Sequence, residues 1–149
     1  MHHHVAREHS GLAFNAICVT KHGLPHNPLI NSGAIMCCSL IKPNEGEAEQ
    51  FKHSINFWKK LAAYKRVSSD NCVYLSEKGC AHTNYSLSHL MMGKGAFPNG
   101  ADIEKTLSFY FMTCSMEADC EALAVIAATL ANGGINPLTG EQCMQPETV

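Results

Sequence analysis

The chain has no basic run longer than two residues. Lys and Arg together number 11 against 13 Asp and Glu, a net charge of −2 in 149 residues. Without a basic stripe, nucleic acid is excluded as an electrostatic partner. Long apolar runs are also missing. The longest, Ala122–Ala131, is broken by Thr129, whereas a membrane-spanning helix needs about 20 apolar residues. No secretion signal is expected, because Met1-His2-His3-His4 leads into Val5-Ala6-Arg7-Glu8 rather than an apolar stretch. No repeat and no low-complexity tract occurs. With 46% apolar residues the chain is not of the disordered class. Its length suits one domain, residues 1–149.

Eight cysteines are present, yet none are spaced Cys-x-x-Cys, so the common zinc and redox signatures are missing. Several fall in helix-like apolar segments, where cysteine behaves as a small buried hydrophobe. The expectation is reduced thiols in an intracellular protein.

The hydrophobic pattern predicts a helix-rich unit with no convincing sheet. Residues 1–24 read as loop, with one short strand at Ala16–Thr20. Asn27 can cap a helix that begins at Pro28 and ends at Pro43. This helix is apolar on most of its surface and should be central. A second helix is expected over Glu47–Tyr64, since Phe51, Ile55, Trp58 and Ala62 make one face. Arg66–Cys72 reads as loop and Leu75–Met92 as a third helix. Gly93–Gly100 is a connection. A fourth helix over Asp102–Cys114 and a fifth over Glu117–Ala131 follow, the latter stopped by Asn132-Gly133-Gly134.

Two short patterns imitate penicillin-recognising serine enzymes: Ser39-Leu40-Ile41-Lys42 and Ser69-Asp70-Asn71. The Lys-Thr-Gly element that completes the set is missing, since Leu138-Thr139-Gly140 lacks the lysine. Ser39 reads more simply as a helix-end serine. Cys18, His22 and His26 are evenly spaced, and His82 and His89 share a helix. Zinc needs three or four convergent ligands, and even spacing in a loop has no helical meaning, so no metal and no cofactor is assigned. Asn84-Tyr85-Ser86 is a glycosylation sequon but lies mid-helix. Gly93-Lys94-Gly95 is too short for a phosphate loop.

One polar group set into apolar helices stands out. Asn31 interrupts Leu29-Ile30 and precedes Ser32-Gly33-Ala34. Glu77 and Asn84 are seven apart, two turns of one helix face. Tyr110 lies on the apolar face of its helix. A carboxylate, two amides and a phenol could hold a small zwitterion, Glu77 pairing its ammonium and Asn31 and Asn84 its carboxylate or amide. Taken singly, each has an ordinary structural explanation.

At these residues the sequence resembles the glutaminase family, serine-dependent enzymes of a β-lactamase-like fold that convert L-glutamine to L-glutamate and ammonia. Residues Pro25-His26-Asn27-Pro28-Leu29-Ile30-Asn31-Ser32-Gly33-Ala34-Ile35 carry the resemblance. Phe97-Pro98-Asn99-Gly100, Phe109-Tyr110-Phe111 and Ala127–Gly134 continue it in order. Val5–Asn15 resembles the animal members, so the opening histidines read as native sequence.

The resemblance implies that 1–149 is a partial glutaminase domain. It would be the mostly α-helical segment of an α/β, transpeptidase-like fold, incomplete without its flanking segments. It implies Asn31, Glu77, Asn84 and Tyr110 as contacts for L-glutamine. It also implies a homotetramer and, for the animal enzymes, a mitochondrial compartment. No catalytic residue is assigned here, because the family's Ser-x-x-Lys lies upstream and its catalytic tyrosine downstream. Lys78–Thr83 departs from the family's usual charged residues, and Ala13 and Ala16 replace basic residues of the animal enzymes' mobile loop. Two functions stay open: a glutaminase represented by its substrate-binding piece, or a non-catalytic truncated paralogue acting as an interaction module.

Overall fold

The computed structural model describes residues 3–149. Among them, helices α1 (Asn31–Leu40), α2 (Glu47–Leu61), α3 (Asn71–Gly79), α4 (His82–Gly93), α5 (Ile103–Cys114) and α6 (Cys120–Ala131) form the body. Strands β1 (Val67–Ser69) and β2 (Met116–Ala118) pair antiparallel, with Val67 opposite Ala118 and Ser69 opposite Met116. Helix α5 is the hub and packs against α1, α2, α3 and α4. Its Leu107, Phe109 and Phe111 are sealed from solvent together with Ile35 and Met36 of α1 and Met91 of α4. A second core joins Leu61 and Ala62 to Val67 of β1 and to Ala122 and Ile126 of α6. No described helix is long and apolar enough to cross a membrane.

The first helix begins three residues later than the sequence predicts. Asn27 does not cap it. Its Oδ1 accepts from the Leu29 N–H at 3.0 Å, closing a local turn, and the backbone then runs extended through Ile30 at φ −98° and ψ 159°. The predicted Leu75–Met92 helix is two helices. Gly79, a poor helix former, closes α3, and the Cys80 N–H returns to the carbonyls of Ser76 and Glu77. Asn84 therefore sits in the first turn of a new helix, not two turns along the helix of Glu77. The expected strand at Ala16–Thr20 does not form. Its amides turn inward instead, with Ala16 N–H donating to Ala13 O at 3.0 Å and Cys18 N–H to Ala16 O at 2.9 Å. Conversely, β1 lies within the stretch read as loop, and β2 takes the start of the predicted fifth helix. Asp119 then caps α6 by accepting from the Ala122 N–H at 2.8 Å.

Asp70 caps α3, its Oδ1 accepting from Cys72 N–H at 2.7 Å and Val73 N–H at 3.1 Å. Asp70→Ala leaves these donors without their cap and should cost about 1 kcal/mol. Urea unfolding followed by circular dichroism checks the figure. An unchanged midpoint would show that the cap contributes nothing.

Candidate functional site

The four singled-out residues come from four different helices. Asn31 opens α1, where its N–H donates to Phe14 O at 2.9 Å. Its Nδ2 donates to Asn84 Oδ1 at 3.2 Å, across 53 residues of sequence. Asn84 is buried, so it is no glycosylation acceptor. Helix α4 is tied to α5 nearby through Tyr85, whose hydroxyl donates to Glu104 Oε2 at 2.8 Å.

Glu77 and Tyr110 stand on α3 and α5, which pack together. Helix α3 is held on α5 by the Tyr74 hydroxyl, 3.3 Å from Ser108 Oγ. Glu77, nearly one turn further along α3, is exposed. Its carboxylate is close enough to act on the Tyr110 hydroxyl and on the Cys114 thiol. Tyr110 is 7% exposed. Burial above all, then the Cys114 thiol, raises its hydroxyl well beyond the ordinary phenol value, so Tyr110 can offer a proton as a hydrogen-bond donor at neutral pH. Desolvation also raises Cys114, and Glu77 adds to it. Cys114 is the neighbour that sequence reading missed, although its i+4 spacing from Tyr110 on α5 is a readable signal. The structure thus joins Asn31 to Asn84, while Glu77 reaches Tyr110 only as the smallest of the influences that raise its hydroxyl, and α5 touches all three helices that carry the other residues.

The serine imitation dissolves. Ser39 is buried, and its hydroxyl donates back to Met36 O at 2.7 Å. Lys42 lies beyond the helix at φ 47°. Ser69-Asp70-Asn71 is the end of β1 followed by the α3 cap. Among the described residues, no three His, Cys, Asp or Glu converge as metal ligands.

The glutaminase family model matches residues 1–149. The chain belongs to the glutaminase family. It is 43% identical to putative glutaminase 2 of Caenorhabditis elegans, over 98% of this chain and 24% of that protein. It is 40% identical to the mitochondrial liver isoform of glutaminase from Rattus norvegicus, over 100% of this chain and 25% of that protein. A Bacillus glutaminase crystallised in 4.3 M NaCl superposes with a TM-score of 0.88 at 32% identity, over 98% of this chain and 49% of that one. The chain therefore spans a quarter of its animal relatives and about half of the bacterial glutaminase, and corresponds to a mostly helical part of the β-lactamase-like glutaminase fold.

Cys38 lies deep in this part. Burial, only partly offset by a contact with Thr113 at 3.9 Å, lifts its thiol from the ordinary 9.0 to about 12. The folded chain holds this proton while the unfolded chain releases it above about pH 9, so unfolding gains a proton-release advantage as pH rises. The stability that Cys38 contributes is complete below pH 9 and declines by up to about 1.4 kcal/mol per pH unit toward pH 12. Urea titrations of the chain and of Cys38→Ala across that range should diverge in slope, and parallel slopes would contradict the burial argument.

Proposed function

We propose that this chain supplies the substrate-holding part of a glutaminase, an amidohydrolase that converts L-glutamine and water to L-glutamate and ammonia. Glu77 pairs the α-ammonium, Asn31 and Asn84 take the carboxylate or side-chain amide, and Tyr110 donates from its hydroxyl. The observation that carries the reading is the Asn31–Asn84 hydrogen bond. It joins two of the four matched positions, and a neutral amide pair of this kind can open to receive a polar ligand.

The reaction class is acyl transfer, in which a serine attacks the substrate amide, ammonia leaves and water frees glutamate. In that scheme the present residues bind and orient, which can supply a large share of the rate. Residues 1–149, a partial glutaminase domain, contribute neither nucleophile nor general base. Ser39 is unsuited to the role because its hydroxyl is committed to its own helix. A homotetramer, implied by the family resemblance alone, and a mitochondrial setting like that of the rat liver isoform complete the reading. If the nucleophile segment is never joined to this part, the same residues make a non-catalytic glutamine-binding or interaction module.

The test is an NMR titration of the 15N-labelled chain with L-glutamine, following the side-chain amides of Asn31 and Asn84. Both signals should move and saturate, and weaken when Glu77 is Gln. Signals that stay still for L-glutamine while the chain is folded would count against the assignment.

A further inference from the structure

The turn before α1 carries more hydrogen bonds than a connection needs. Ala6 N–H donates to Pro25 O and Glu8 N–H to His26 O, each at 2.9 Å. The Glu8 carboxylate lies 3.3 Å from His26 Nδ1. Asn27 sits between these strands of chain. Its Nδ2 donates to Glu8 O and its Oδ1 accepts from Leu29 N–H, both at 3.0 Å. The two bonds fix the amide's orientation, because reversing it would set oxygen against carbonyl and NH2 against N–H.

The same residue meets α1 through its backbone. A Cβ on Gly33 would stand 1.8 Å from Asn27 O and 2.8 Å from Pro28 Cα. Gly33 is thus needed for close approach, not for an unusual φ. Asn31, two residues before it, is held from the other side by Phe14 O at 2.9 Å. The backbone of the first helical turn is therefore held by both the 5–14 segment and the Asn27 turn, which fixes the point from which the Asn31 side chain reaches Asn84.

We infer that Asn27 is a positioning residue for Asn31, fixing the first turn of α1 so that the Asn31 amide faces Asn84. Its functional meaning rests on the reading of Asn31 as a glutamine contact. Asn27 itself touches no substrate in this account. It acts through the Leu29 turn and through the backbone contact with Gly33.

The experiment compares side-chain amide NMR signals in the 149-residue chain, without ligand. Asn136 is the internal reference, since its Nδ2 donates to Lys60 O at 3.2 Å and Leu61 O at 3.0 Å in the second core. In Asn27→Ala the Asn31 and Asn84 signals should move most of the way to those of free amides while Asn136 stays. In Asn136→Ala, a general loss of stability, Asn31 and Asn84 should not move. Should Asn27→Ala lose the Asn136 signal too, Asn27→Asp decides by the same comparison. The Asp keeps the acceptor for Leu29 N–H and removes only the donor to Glu8 O. Unmoved Asn31 and Asn84 signals in the folded variant would overturn the inference. Adding L-glutamine to the unchanged chain is a separate arm. Failure there contradicts the binding role of Asn31 and leaves the positioning result to stand or fall by itself.

Discussion

Glu77→Gln should lower kcat/KM for glutamine by about 30-fold or more in a complete glutaminase carrying these residues. The size follows from where the charge lies. In this chain Glu77 is exposed, and an exposed ion pair is worth only about 0–1 kcal/mol. On the proposed reading, substrate and flanking segments would cover it, and the pair would then be desolvated. Breaking one side of such a pair costs about 2–5 kcal/mol, and 2 kcal/mol is already about 30-fold in rate. Tyr110→Phe removes one hydroxyl from a packed ring and should cost less, about 0.5–1.5 kcal/mol. The comparison uses the chain joined to the nucleophile and catalytic-tyrosine segments of its family. If Glu77→Gln stays within about twofold while Tyr110→Phe abolishes turnover, the ammonium assignment is wrong.

Gly33→Ala should be the most damaging single-methyl change in the chain. The added carbon would stand 1.8 Å from a backbone oxygen and 2.7 Å from the carbon that bears it. No side-chain rotation can relieve that overlap, so either the Asn27–Pro28 turn or α1 must shift. Overpacking costs about 1–3 kcal/mol where side chains can yield. With backbone on both sides, a loss of at least about 3 kcal/mol is expected. Thermal unfolding followed by circular dichroism reads it, and Gly79→Ala, whose added Cβ meets nothing within 4 Å, serves as control. Equal midpoints for the two variants would show that the close approach is not a constraint.

How much of this was legible in the sequence depends on length and on partners. The faces of α2 and α5 repeat over several turns, and Asp102 caps α5 as its position promises, accepting from Lys105 N–H at 3.1 Å. Strands β1 and β2 are three residues each. That is too short for an alternating pattern, and their pairing is non-local. The break at Gly79–Ala81 is hidden because a single glycine inside a helical stretch is tolerated and does not by itself mark an end. Its effect is to put Glu77 and Asn84 on different helices and to leave Asn84 beside Asn31. The Asn31–Asn84 bond spans two helices and no sequence spacing announces it. Ser69-Asp70-Asn71 shows the reverse case, in which a letter pattern known from catalysis is a strand end and a helix cap. Trp58, placed on the buried face of α2 by periodicity, is 39% exposed here. Leu29 is 89% exposed and Leu123 53%. Such apolar surface has a natural explanation in a part that matches only half of the bacterial glutaminase.

Ammonia release from L-glutamine separates holding the substrate from attacking it. It is measured on the purified 149-residue chain, on its Ser39→Ala variant, and on the chain joined to the family's nucleophile and catalytic-tyrosine segments. No release above blank is expected from the first two, and turnover is expected from the third. Release from the chain alone that disappears in Ser39→Ala would make Ser39 the nucleophile and contradict the division between holding substrate and attacking it.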